Sequence, residues 1–247
     1  MLPIGDRNPT RTTPVVNYLV IAANVAVFLW QYVVILGGGE AWLVPGYGLV
    51  PSRLSNDPGG EAFTVLTSMF MHGGLGHLAG NMLFLYIFGD NVEDSVGHAR
   101  YAGFYVLAGV GAAAAQIGVD PSSQVPMVGA SGAIAGVLGG YMVLHPSAPI
   151  TILVPPPLMF FIGFFIELPA WVVAGGWFAW QVMSGVGSLG AAQAGGVAFF
   201  AHVGGFVAGL LLIRPFHAGR DRVDRDRWVG WRPPERIAGR PYERRLP

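Results

Sequence analysis

The sequence predicts an all-α membrane protein, a six-helix bundle with both termini on the cytoplasmic side, and three observations carry that prediction. Of 247 residues 53% are hydrophobic and 11% are charged, which is less than half the roughly 25% charge of a soluble domain. Glu167 is the sole charged residue between Asp120 and Arg214. A helix needs about 20 apolar residues to cross a bilayer, so the stretches on either side of Glu167 hold three or four spans. Arginine gathers at the two ends, with Arg7 and Arg11 before the first apolar stretch and ten arginines from Arg214 onward. Because positive residues stay on the cytoplasmic side, both ends lie there and the number of spans is even.

The elements follow in order. Residues 1–13 form a short cytoplasmic segment. The first span, 14–36, is longer than the core of a signal peptide, and no cleavage site is apparent. A Gly- and Pro-rich stretch follows, too broken for a span. The second helix covers 75–91, interrupted in polarity by His77 and Asn81, and the third covers 101–119. The fourth is placed at 131–144, the fifth at 169–186 and the sixth at 195–213, so the membrane domain occupies 14–214. Between the fourth and fifth, the run Pro155, Pro156 and Pro157 argues against one straight helix, and 150–167 is read as an interfacial connection. The tail 215–247 is arginine-rich, with little periodicity, and is read as disordered chain near anionic headgroups.

Composition also excludes functions. The chain has no cysteine, hence no disulfide, thiol nucleophile or thiolate metal site. It has no lysine, and 14 arginines balance 14 acids, so no net basic field points to nucleic acid. No metal-binding spacing is present and no cofactor is implied. The lysine-free, Arg-, Ala- and Gly-rich composition points to a bacterial inner membrane.

Polar groups within a bilayer cost free energy and mark function. Four stand out: His77, Asn81, Ser131 and His202. On the expected topology all fall in the first half of inward-running helices, in one layer nearer the extracytoplasmic face. Ser131, in Gly129-Ala130-Ser131-Gly132, sits where a loop becomes a helix, so its hydroxyl is a candidate nucleophile and its amide a candidate oxyanion donor. His202, in Ala201-His202-Val203-Gly204-Gly205, is the candidate general base. The pair requires a close helix contact. Gly132, Gly136 and Gly140 on the fourth helix and Ala201, Gly205 and Gly209 on the sixth supply two faces of small residues for it. His77 and Asn81, four apart on one helical face, are candidate oxyanion donors. His98, His145 and His217 are read as interfacial and structural, and the cluster Asp90, Glu93 and Asp94 as a cytoplasmic helix end that pairs with Arg100.

Taken in order, His72-Gly73-Gly74-Leu75-Gly76-His77-Leu78-Ala79-Gly80-Asn81-Met82, Gly129-Ala130-Ser131-Gly132 and Ala201-His202-Val203-Gly204-Gly205 resemble the rhomboid family of intramembrane serine proteases. The resemblance spans about 14–214. It implies a six-helix core in which Ser131 is the nucleophile and His202 the base, with His77, Asn81 and the Ser131 amide around the oxyanion, and no acidic third member. It also implies that the fifth helix, with Trp171, Trp177, Phe178 and Trp180, is the element beside which substrate enters. Two positions depart from the family pattern. Trp42 is followed by Leu43 rather than arginine, and Ala135 stands where some members carry an aromatic that stacks on the histidine. The expected partners are transmembrane protein substrates and membrane lipids. A non-catalytic rhomboid-like binder or chaperone for membrane proteins is the alternative, separated from a protease by whether the serine is reactive. A transporter would need polar groups reaching both faces, whereas these cluster toward one.

Overall fold

The structure, a computed structural model, describes residues 1–189 and 198–219, which are mostly helical. In chain order it comprises β1 (Leu2–Asp6), α1 (Val15–Leu36), α2 (75–96), α3 (His98–Val119), α4 (Ser131–Leu144), β2 (Pro149–Leu153), β3 (Phe165–Pro169), α5 (Ala170–Ser188) and α6 (Phe199–His217). In α2 two α-helical runs, Leu75–Phe84 and Asp90–Val96, are joined by the wide π-helical turn Leu85–Gly89. Among the described residues α1, α3 and α6 are long and apolar enough to cross a membrane, and α4 is apolar but shorter. The expected start of the sixth helix at Gly195, and the arginine-rich tail beyond residue 219, lie outside the described residues.

Hydrogen bonds between helix ends fix the up-and-down order. The Glu93 carboxylate near the end of α2 accepts the N–H groups of Val16 and Asn17 in the first turn of α1, at 2.9 and 2.6 Å. Those amides have no partner within their own helix, and Pro14 before them offers no side-chain cap, so the cap comes from another helix. Arg100 in the first turn of α3 donates to the carbonyls of Phe216 and Ala218 at the end of α6. His145, just past α4, meets Ser95 of α2 at 3.1 Å. The starts of α1, α3 and α5 therefore share one end of the bundle, and those of α2, α4 and α6 the other.

Polarity runs inside out, as a lipid-facing bundle requires. On α1 the buried residues are Asn17, Asn24 and Gln31, seven apart on one face, while Leu19, Leu29, Val33 and Leu36 are exposed. Asn17 donates to the carbonyl of Leu85 at the π-helical turn of α2 and accepts from the Tyr101 hydroxyl of α3, so one amide joins three helices. Gln31 exchanges two hydrogen bonds with the backbone of His72 and ties down the segment leading into α2.

The core is α4, clasped between α3 and α6. A Cβ placed on Gly205 would fall on the carbonyl oxygen of Gly132, and one on Gly209 would fall on that of Gly136. On the other side, Cβ atoms at Gly132 and Gly136 would meet Ala112 and Ala108 of α3. The expected small-residue faces are thus real backbone-to-backbone contacts. Around them Phe88, Phe104, Leu138, Tyr141 and Phe206 are fully buried.

The all-α expectation needs one addition, a three-stranded antiparallel sheet in the order β1–β2–β3 at the end of the bundle where α1 begins. The connection 150–167 forms its β2–β3 hairpin, with Phe160 and Phe161 exposed between the strands. Proline runs break helices but leave edge and turn conformations open. Glu167, isolated in sequence, pairs with Arg7 beyond β1 at 2.7 Å. The segment between α1 and α2 folds into short helices, with Leu43 fully buried. Arg53 gathers them by bonding to Glu61 and the Pro45 carbonyl.

Gly205→Leu, which forces a side chain into the α4 backbone, is expected to cost about 3 kcal/mol or more and to lower the thermal midpoint in detergent. Gly118→Leu, with open space around it, should leave the midpoint unchanged. A second prediction concerns Asp6, hydrogen-bonded by the Tyr141 hydroxyl at 2.5 Å. Burial pushes its carboxyl up to about 7, against the lowering effect of that bond and with the help of nearby Asp90. The folded state therefore holds a proton that the unfolded chain releases, and stability falls as pH rises from about 4 toward 7. Asp6→Asn is expected to raise the thermal midpoint above wild type at pH 8 and to match it near pH 4.

Candidate active site

Three helices begin at the end of the bundle away from the sheet, and each brings a polar side chain to one cavity. Ser131 is the first residue of α4. Its backbone N–H is therefore among the unpaired donors of the first turn, beside its own hydroxyl. His202 lies in the first turn of α6, and its Nε2 is 2.7 Å from Ser131 Oγ. The contact follows from the glycine packing, because Gly132 adjoins the serine and Gly205 lies three residues after the histidine on the same face. The sequence-expected pair is brought into hydrogen-bond contact.

His77 and Asn81, near the start of α2, line the same cavity of about 670 Å³ with Ser131 and His202. The His77 ring packs over Gly129, whose φ of +129° lies in the region that favours glycine; a Cβ there would also sit 2.7 Å from the ring. Gly129 also donates to the Ser68 carbonyl at 2.9 Å, which holds the loop that leads into Ser131. Asn81 is buried, and its Nδ2 has no acceptor among the described residues. Such a donor carries a desolvation cost unless something occupies the space it faces. His72, in the preceding loop, stands edge-to-face against His77 with ring centroids 5.2 Å apart.

Sequence reasoning missed one side chain at the site. Gln181 of α5 is buried, and its Oε1 is 2.8 Å from His202 Nδ1. One turn earlier, the Trp177 ring lies against the histidine, with centroids 5.7 Å apart. Together they brace the ring from α5, where Ala135 offers no aromatic from α4. The signal was present, since Gln181 is the sole amide side chain in α5. Elsewhere the acidic cluster resolves differently from expectation. Arg100 pairs with none of Asp90, Glu93 and Asp94 but donates to carbonyls ending α6. Glu93 caps α1 and contacts His98, and Asp94 accepts from Arg11 and Thr12. Short-range charge proximity in sequence misled because the unpaired carbonyls at the end of α6 compete for the guanidinium.

Arranged this way, a hydroxyl faces an imidazole nitrogen, with an unpaired backbone amide and a buried side-chain amide nearby, inside an apolar bundle. Comparison with known proteins identifies the family. Residues 59–218 match the Rhomboid domain. The mitochondrial Rhomboid protein 1 of Saccharomyces cerevisiae is 28% identical over 200 residues, covering 78% of this chain and 51% of the relative. The Rhomboid protease GluP of Bacillus subtilis is 32% identical over 131 residues, covering 52% of this chain and 24% of the relative. RHOMBOID-like protein 5 of Arabidopsis thaliana is 34% identical over 95 residues, covering 38% of this chain and 30% of the relative. The chain thus spans about half or less of the length of these relatives, yet the domain match takes in α2 to α6 and every polar group of the cavity, and the protein belongs to the rhomboid family.

Proposed function

We propose that this protein is an intramembrane serine endopeptidase that cleaves transmembrane segments of other membrane proteins near the extracytoplasmic face. The observation that carries the reading is the 2.7 Å contact between Ser131 Oγ and His202 Nε2 in a cavity whose wall includes the unpaired amide of Asn81. In this mechanism Ser131 attacks the scissile carbonyl while its proton passes to His202 Nε2. The oxyanion is held by the Ser131 N–H, Asn81 Nδ2 and His77. His202 then returns the proton to the leaving amine, and water entering the cavity hydrolyses the acyl-enzyme with His202 again as base. No acidic third member is required, because a neutral imidazole in an apolar site is a competent acceptor. A substrate helix must unwind locally, since its peptide bonds are otherwise shielded by their own turns.

The topology belongs to the same proposal. Six spans, α1 to α6, would place both ends of 14–214 on the cytoplasmic side, with the 1–13 segment, the sheet and the 215–247 tail there too. The alternating helix starts and the arginines at the ends support it. The cavity then opens on the opposite face, toward the extracytoplasmic side. A bacterial inner membrane is the proposed location, supported by composition.

Reconstituted with a fluorescent transmembrane reporter, wild type is expected to cleave, while Ser131→Ala and His202→Ala should reduce turnover to background. Asn81→Ala should lower kcat by about 100- to 1,000-fold, the usual loss for one oxyanion donor, with little change in KM. Cleavage by Ser131→Ala at the wild-type rate would refute the mechanism.

A further inference from the structure

The contact that orients His202 comes from outside every motif. We propose that Gln181 is a positioning residue for the serine–histidine pair: its Oε1 accepts the Nδ1–H of His202, which leaves the Nε2 lone pair facing the Ser131 hydroxyl. The inference rests on the serine-protease reading and adds a third member that the resemblance does not contain.

The geometry gives one chain of hydrogen bonds across three helices, from Gln181 Oε1 to His202 Nδ1 at 2.8 Å and from His202 Nε2 to Ser131 Oγ at 2.7 Å. A neutral imidazole has one N–H and one lone pair, and the partner at one nitrogen decides which nitrogen carries the proton. An acceptor at Nδ1 selects the tautomer in which Nε2 can take the serine proton. The opposite amide orientation would donate to Nδ1 and turn an N–H toward the serine, which cannot act as a base. When the serine proton moves to Nε2, the Nδ1–H stays in place against Oε1, so the imidazolium has both N–H groups hydrogen-bonded. The proton then leaves from Nε2 to the departing amine, and Gln181 neither gains nor loses one.

The surroundings leave this role to Gln181. Among the described residues, α4 presents Ser131 to the ring, α5 presents Trp177 and Gln181, and α2 presents His77, the titratable group that faces His202. From α3, the amide of Gln116 is engaged by the N–H of Ala201. No carboxylate among the described residues faces the ring. Gln181 is 7% exposed in a helix whose outer face is apolar, a costly place for an amide without a fixed partner. Trp177, one turn away on the same face, limits the ring's tilt and so keeps both bonds aligned.

The test uses the full chain in liposomes and compares wild type, Ser131→Ala, Gln181→Leu and Gln181→Glu for kcat, KM and the pH dependence of kcat/KM, with thermal midpoints as a folding control. Gln181→Leu keeps the volume and loses the acceptor. It is expected to lower kcat by about 10- to 100-fold, less than the roughly 100- to 10,000-fold that the general base itself contributes, while KM stays within about twofold. Gln181→Glu restores the acceptor with a charge that favours the imidazolium. It should recover kcat at high pH and move the acidic limb of kcat/KM upward by about one pH unit. A packing role alone, with the volume kept, would leave kcat of Gln181→Leu at the wild-type value and move only the thermal midpoint. Equal kcat in Gln181→Leu and wild type overturns the proposal, as does a loss that Gln181→Glu neither rescues nor shifts in pH. If wild type and Ser131→Ala behave alike, it is the protease reading that fails instead.

Discussion

The contact of α4 with α6 through bare glycine backbone is the constraint on which the remainder of the molecule depends. Lipid chains are as apolar as leucine, so burying hydrophobic side chains gives two helices little reason to prefer each other over the bilayer. Close packing does, and Gly205 and Gly209 allow it by placing the α6 backbone on the carbonyls of Gly132 and Gly136. Any side chain at those positions would push the helices apart. The proposed serine–histidine pair sits next to this contact, Ser131 just before Gly132 and His202 three residues before Gly205, so the 2.7 Å hydrogen bond between them is a product of helix packing. A pair of mobile loops would not hold it.

A second layer of interactions keeps that contact in register. The first helix is polar on its inward face, where it is tied, and apolar on its outward face. Asn17 links α1, α2 and α3, Glu93 caps α1 from α2, and Arg100 closes the end of α6. The small sheet and the Arg7–Glu167 ion pair join the chain before α1 to the hairpin between α4 and α5. Each satisfies backbone or charged groups that a membrane would leave without partners. At the other end, by contrast, the amide of Asn81 has no acceptor, and the cavity it faces is the place where a reacting group fits.

The sequence was most legible where membrane physics restricts the choices. Helix positions followed from the length of apolar runs, and the fourth helix matches 131–144 at both ends. The pairing of Ser131 with His202 followed from shared depth and from glycines every fourth residue. The sheet was not legible, because β1 is five residues long and its partners lie far off in sequence; only the pairing itself makes them strands. The partners of the acidic cluster were misread for a related reason: Glu93 and Asp94 answer to backbone donors more than 75 positions away. Gln181 escaped notice because a single amide in an apolar helix reads as ordinary packing until the histidine it faces is in view.

The central claim is that the α4–α6 contact creates an activated serine, and the most direct measurement is labelling of the detergent-purified protein with a fluorophosphonate probe, followed by mass spectrometry to locate the adduct. The account predicts a single adduct on Ser131 that His202→Ala abolishes in a protein that remains folded. No adduct on folded wild type, or an adduct at another residue, would contradict it.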